Sequence, residues 1–521
     1  MKNHKPTPVL TAVLSALLLL FVGSIFWVNF HGALWYDMDM ALNSLEARLM
    51  WEQKRLFPEG WIFGNQYQIV DTVNVAALFY GLVQQSTLAL SLASSLGALL
   101  VLAAFVWCIR PYVSTQGLLT GLVCIAGGSI FGYSAASYTK GLQVVYTMGA
   151  YYAWYLIVIL LTLGAWLRLT EGKKVRWPLW AGILLLNFGI GMNSMREALV
   201  LGAPLLATAL LHLLMERKNR KQLLFAALIL AAELAGFLFM HLLNIPSSTN
   251  TKDLYLSFKP LFVYYNWVDS TKDLLRISGI ALFRDGLRYL PLSLLASAVA
   301  AGVVYTLFRI FRKKDRSPLA KAVVFCAVSV LAVYATGIFL LKTRAIYYFV
   351  YWLLAALSLT WLTGKWRWGR WVVAGMAAVS FLYHFIPDFT VYRHHEKALE
   401  TVTADLIDRG YSTLYGDDCA VFAAASHDKI VATPVRMAFE AGEGAPLAVF
   451  PYNKYLPLYD EGHARHGVVC FSDYYAPYLN GLSEEERENL FSCMTLIHHL
   501  QWGKRSIWLY QPDESIWPFR Q

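Results

Sequence analysis

Charged side chains are scarce in this sequence: Asp, Glu, Lys and Arg make up 15% of 521 residues, against 57% apolar, and mean hydropathy is +0.46. A water-soluble globule carries about a quarter charged residues, so that class is excluded. Cysteine is sparse too, at six. Cys108, Cys124 and Cys326 stand inside apolar runs, where a thiol is a small hydrophobe. Cys419, Cys470 and Cys493 keep no zinc-ligand spacing, which excludes a structural zinc site. In an oxidising compartment two of these three can pair, in a combination the sequence does not choose. Also missing are a P-loop, a dinucleotide fingerprint, a nucleophile elbow and a zincin motif, so nucleotide chemistry has no handle here. The net charge of +10 lies mostly in short loops and is no nucleic-acid footprint. No internal repeat and no low-complexity segment is present.

Long apolar runs take the place of all this. About eleven read as membrane helices: 8–30, 86–109, 115–134, 142–167, 177–193, 197–215, 221–243, 288–311, 320–341, 344–363 and 367–386. The chain is therefore expected to be a polytopic α-helical membrane protein. No small-residue cleavage motif follows the first run, which reads as a retained helix. Four strongly basic loops, 168–176, 215–222, 311–316 and 364–370, fall on one side with Lys2 and Lys5. That bias predicts a cytoplasmic N-terminus and an extracytoplasmic C-terminus. It also puts loops 31–85 and 244–287 outside, with everything after about 387.

Two units follow, a transmembrane part over 1–387 and a small α/β domain over 388–521. In the second, 413–418, 429–435, 466–472 and 506–511 read as strands and 484–500 as a helix. Residues 69–85 read as a surface helix within the first loop.

The stretch 35–61, WYDMDMALNSLEARLMWEQKRLFPEGW, organises the rest. At 100° per residue Asp39, Asn43, Glu46, Met50 and Gln53 share a stripe, with Met38, Leu42, Leu45, Leu49 and Leu56 beside it. This pattern suits a helix lying flat in the headgroup region, stopped by Pro58 and Gly60. Asp37 and Asp39 at its mouth either cap the helix or place a carboxylate at the boundary of water and lipid.

Few other polar residues stand where a membrane protein does not place them freely. Arg196 and Glu197 lie in a tight turn between helices, and Lys342 and Arg344 precede Tyr347 and Tyr348. Either arginine can hold a phosphate or reach for lipid headgroups. Glu233 is the acid in mid-helix, either functional or hydrogen-bonded within the bundle. His241 and His384 read as interface residues. The tail strings His394–Glu396, Asp417–Asp418 and His498–His499 lack spaced partners and read as solvated surface.

This layout resembles the GT-C glycosyltransferases, among them protein O-mannosyltransferases and lipid A aminoarabinose transferases. A retained first helix, an acid-bearing first loop, many spans and an external C-terminal domain carry the resemblance. It implies an inverting transfer of a sugar from a polyprenyl-phosphate donor to a lipid, glycan or protein acceptor. It also implies the outer face of a bacterial plasma membrane, in the cell envelope. Asp39 matches the family's catalytic first-loop aspartate, with Asp37 the second choice. Bacterial relatives often carry an acid four residues later, where Asn43 stands here. Glu46 or Asp37 is then the second carboxylate, and Arg344 or Arg196 the donor phosphate ligand. No cofactor is required by any motif, though the resemblance leaves a divalent cation open. The competing class is a lipid-headgroup transporter or flippase, or a non-catalytic lipid-binding scaffold. A transporter of the common kind shows paired halves and broken helices, and neither is legible here.

Overall fold

The computed structural model describes residues 7–31, 36–64, 66–127, 149–173, 175–216, 220–247, 260–280, 286–339, 345–366, 368–434, 447–448, 454–459, 466–473, 479–492, 494–502, 505–513 and 519–520. Its helices, in order, are α1 (Pro8–Phe30), α2 (Met38–Gln53), α3 (Thr72–Val83), α4 (Ser86–Ile109), α5 (Thr115–Ala126), α6 (Gly149–Thr170) and α7 (Trp177–Asn193). A π-helical turn, Ala198–Gly202, leads into α8 (Ala203–Glu216). Then come α9 (Arg220–Leu242), α10 (Pro260–Ile277), α11 (Leu290–Lys313), α12 (Pro318–Phe339), α13 (Val350–Thr363), α14 (Gly369–Asp408), α15 (Ala420–Ala425) and α16 (Glu484–Ser492).

Seven helices among the described residues are long and apolar enough to cross a membrane. They are Pro8–Phe30, Ser86–Tyr112, Tyr152–Thr170, Arg220–Leu242, Leu290–Lys313, Pro318–Phe339 and Ala345–Thr363. The chain is a polytopic helical membrane protein. The other four expected runs fall on α5, α7, α8 and the first part of α14. Residues 128–148, into which the third expected span runs, lie outside the described residues.

Backbones approach closely where glycine allows it. A Cβ on Gly191 would strike the Glu233 backbone, and one on Gly236 would strike the Phe188 carbonyl. Removing those side chains lets α7 and α9 pack at short range, as small residues do in bilayers.

A second core lies at one end of the bundle, and α2 is built into it. Asp37 caps α2 by accepting from the Met40 N–H at 3.0 Å, and Lys54 ends it in the left-handed conformation. Most of α2 is buried, Asn43, Ser44 and Glu46 included, against α3, α4 and the C-terminal unit. The flat interfacial helix expected from its stripes is therefore corrected: the C-terminal unit covers the face that would otherwise meet headgroups. Leu42, Leu45 and Leu49 share one apolar core with Leu414, Phe422, Val468 and Ile507.

That unit is α/β. Its strands are β2 (Thr413–Tyr415), β3 (Val431–Thr433), β4 (Leu447–Ala448), β5 (Lys454–Tyr455), β6 (Gly467–Ser472), β7 (Met494–Trp502), β8 (Arg505–Pro512) and β9 (Phe519–Arg520). Five form one sheet in the order β3-β2-β6-β8-β7, with β2 parallel to β3 and β6 and the β6-β8-β7 pairs antiparallel. β5 pairs with β1 (Trp61–Ile62) of the first loop, and β4 with β9. The helix expected over 484–500 stops at Ser492, and its second half is strand β7. A bulge between Leu496 and His498 shifts the strand's alternation, which hid its period of two. Cys419 and Cys470 are buried free thiols; Cys493 lies outside the described residues.

Two joints fasten the unit to the bundle. α14 runs unbroken for 40 residues and delivers Leu399 and Leu406 to the second core. Asp428 accepts from the Ser86 and Thr87 N–H groups and the Ser86 hydroxyl (2.8 Å to Oγ), so it caps α4 from the far end of the chain. Four N–H groups are orphaned at any helix start, and α4 has no capping side chain of its own.

Candidate functional site

The segment 66–71, between β1 and α3, lies on the turn that ends α7. Asn193 holds it: its Oδ1 accepts from the Ile69 and Val70 N–H groups (2.5 and 3.1 Å) and its Nδ2 donates to the Val70 carbonyl (3.0 Å). Asn74 adds bonds to the Gln68 and Ile69 carbonyls at 2.6 and 2.7 Å. Gln68 is thereby kept at φ +53°, in the left-handed region that a non-glycine residue seldom enters.

Three features meet here. The first is Arg196, half-buried, with Tyr152, Tyr155 and Tyr347 around its guanidinium at 5.4, 5.7 and 4.8 Å from their ring centres. With the Gln66 amide turned so that its oxygen faces the fork, that oxygen accepts from Nη1 at 2.6 Å and Nη2 at 3.0 Å. Nη1 also donates to the Tyr152 hydroxyl at 3.4 Å. All of these partners are neutral. Asp71 and Glu197 act on Arg196 through space, and among the described residues no carboxylate forms an ion pair with it.

The second is a pair of buried acids. Glu46 is 1% exposed and Asp71 2% exposed. Asp71 caps α3, accepting from the Val73 N–H at 3.5 Å, and its Oδ2 has no hydrogen-bond partner among the described residues. Burial pushes its carboxyl up to about 8, against the pull of its cap bonds and of Arg196. Burial likewise lifts Glu46 well above the ordinary carboxyl range, and the Asp71 charge lifts it further. Gln68, turned so that its NH₂ faces Glu46, donates to both carboxyl oxygens, at 3.0 Å to Oε1, and lies 2.9 Å from Asn43. Burial thus raises both carboxyls, which favours their protonated forms.

The third lies deeper. Glu197 and Glu233 are 0% and 1% exposed, they interact through space, and none of their four carboxyl oxygens has a hydrogen-bond partner among the described residues. The Gly202 amide faces Glu233 without reaching normal hydrogen-bond geometry. The π-helical turn begins right after Glu197, and the Ser329 hydroxyl donates to its Val200 carbonyl at 2.6 Å. Such turns concentrate at functional sites.

Of the residues expected from sequence, Glu46 and Arg196 both act through space with Asp71, and Glu233 with Glu197. Asp37 is the cap of α2, and Asp39 stands exposed in that helix's first turn. Arg344 and Lys342 lie outside the described residues, while Tyr347 turns to Arg196. His498 and Arg409 both meet Asp405 at 2.6 Å, with the His498 bond the main reason its carboxyl is held low. Among the described residues no group of three or more His, Cys, Asp or Glu is placed to hold a metal.

Asp71, Gln66, Gln68 and Asn193 escaped the sequence reading. Asp71 reads as an ordinary cap before an apolar run, and its proximity to Arg196 is tertiary. No protein-family model matches the chain, and no curated protein matches it either.

Proposed function

We propose that this chain is an inverting glycosyltransferase of the GT-C type, moving a sugar from a polyprenyl-phosphate donor to an acceptor at the outer face of a membrane. The reading includes eleven spans, a cytoplasmic N-terminus, and loops 31–85 and 244–287 outside with the unit 388–521. One observation carries it: Arg196 is a half-buried guanidinium whose hydrogen-bond partners among the described residues are all neutral. Burying a cation without a counter-charge is costly, and a planar fork fits a phosphate on two oxygens.

The chemistry follows from the neighbours. The acceptor hydroxyl gives its proton to a carboxylate while its oxygen forms a bond to the anomeric carbon. The bond from that carbon to the phosphate oxygen breaks on the opposite face, and Arg196 takes up the leaving phosphate's charge. Asp71 is the base favoured by local chemistry, because a pKa of about 8 lets it hold and release a proton near neutrality. Asp39 is the base the family layout implies, on an exposed first turn. Substitution separates them. Loss of a well-placed base costs about 10²–10⁴-fold in rate, so one of Asp71→Asn and Asp39→Asn should lose transfer by that factor while still binding polyprenyl phosphate. Arg196→Ala should lose the lipid, and Arg196→Lys should recover part of it. Unchanged polyprenyl-phosphate binding in Arg196→Ala would overturn the reading.

A further inference from the structure

Helix α10 falls in the expected loop 244–287, yet it is fastened to a membrane span. Asn266 Nδ2 donates to the Ile338 carbonyl at 3.4 Å, and the Thr271 and Tyr334 hydroxyls are hydrogen-bonded at 2.8 Å. Both partners belong to α12, in the half remote from the basic loop 311–316. Residue 266 meets 338 and residue 271 meets 334, so the two helices run antiparallel. α10 therefore points from the end of a span back into the bundle. Its last residue, Ile277, is fully buried in the same apolar core as Val330 and Val333 of α12.

The other face of α10 is left open among the described residues. At about 100° per residue, Ser270, Asp273 and Ile277 share the buried side, while Tyr264, Val268 and Leu275 form a stripe roughly opposite. Tyr264, Tyr265 and Trp267 are 62%, 59% and 49% exposed. Their rings gather, with Tyr264 at 5.7 Å from Tyr265 and 6.2 Å from Trp267 between centres. Rings with an apolar body and a polar tip collect where membrane meets water. Lys272 and Arg276 are exposed beside the stripe, and the Lys272 pair with Asp269 at 3.2 Å is a surface pair of little worth in water. Side chains on a helix lean toward its N-terminus, here the boundary end. Both cations can thus reach back to headgroup phosphates while their stems lie along apolar surface.

We propose that α10 is a membrane-inserted helix whose aromatic stripe is covered by lipid of the leaflet remote from loop 311–316, with its N-terminal end at the headgroup boundary and Ile277 deepest. The occupant is the bilayer itself. The open face begins where a span ends, and its rings and cations have the make-up of a headgroup boundary. α12 shows the same exposure to lipid at Leu331 and Phe339. The inference needs only the membrane class of the chain and stands apart from the transferase reading.

The test is spin labelling of the full chain in nanodiscs of phosphatidylcholine and phosphatidylglycerol. A Cys493→Ser background leaves the buried thiols Cys108, Cys124, Cys326, Cys419 and Cys470. Labels go on Tyr264→Cys, Val268→Cys and Leu275→Cys, with Leu331→Cys as the lipid control and Ser412→Cys, exposed in the C-terminal unit, as the water control. Each is read by collision with oxygen, which concentrates in lipid, and with a water-soluble nickel chelate. The three stripe positions should follow Leu331→Cys, with oxygen ahead of nickel, the reverse of the order at Ser412→Cys. Three variants on one stripe keep the test open should one fail to fold. Nickel ahead of oxygen on the stripe means water covers it and overturns the proposal. Low collision with both reagents means that protein covers it, a second copy or another partner, and overturns the proposal too.

Discussion

Asp71→Asn isolates the energetic oddity of the site. Asp71 is 2% exposed, one of its oxygens has no hydrogen-bond partner among the described residues, and its carboxyl is pushed from 3.8 to about 8, by burial above all. In the unfolded chain the same group titrates near its ordinary value. The folded state therefore binds the extra proton between about pH 4 and about pH 8. The sign follows from that: a raised folded pKa gives stability that is fully present below the unfolded value and is lost as pH rises through the folded one. Four units at about 1.4 kcal/mol each set a ceiling on the order of 5–6 kcal/mol. Relaxation and water entry reduce such penalties, so about 2–3 kcal/mol is the expected loss above pH 8. Asparagine caps a helix as well as aspartate does and carries no charge. The variant should match wild type near pH 4–5 and exceed it by about 2–3 kcal/mol at pH 9. Equilibrium unfolding in mixed micelles, followed by tryptophan fluorescence from pH 5 to 9, measures this. Equal pH dependence in the two proteins would show that Asp71 is ionised and solvated in the folded state, and the base assignment would fail with it.

Two further variants test the architecture. Asp428→Ala removes the cap that the C-terminal unit lends to α4. It should cost about 1 kcal/mol and speed protease cleavage of 409–412; unchanged cleavage would mean the joint is not needed for docking. Gly236→Ala puts a methyl against the Phe188 carbonyl and should separate α7 from α9 at a cost of about 1–3 kcal/mol. A neutral result would show that the α7–α9 contact is looser than described.

Membrane class was legible in composition and in apolar runs, because burial in lipid acts on every residue of a span and leaves its mark in sequence. The same holds for local punctuation: Asp37 before α2, and strands within or around the expected 413–418, 429–435, 466–472 and 506–511, while the stop expected at Pro58 and Gly60 falls earlier, at Lys54. Arg196 and Glu233 stood out because a polar group in an apolar setting is costly and therefore conspicuous, and Glu46 through its place on the stripe of α2 and the resemblance. The tertiary structure alone decided what they face. Asp71 acts through space on Glu46 and Arg196, Glu233 acts on Glu197, and Asp428 hydrogen-bonds Ser86 across 342 residues. It also turned α2 from an expected interfacial helix into a buried one, and Met494–Trp502 from helix into strand. Periodicity reports which side of an element is apolar, and α2 was read correctly at that level. What covers that side is set by contacts between segments hundreds of residues apart, to which no local pattern is sensitive.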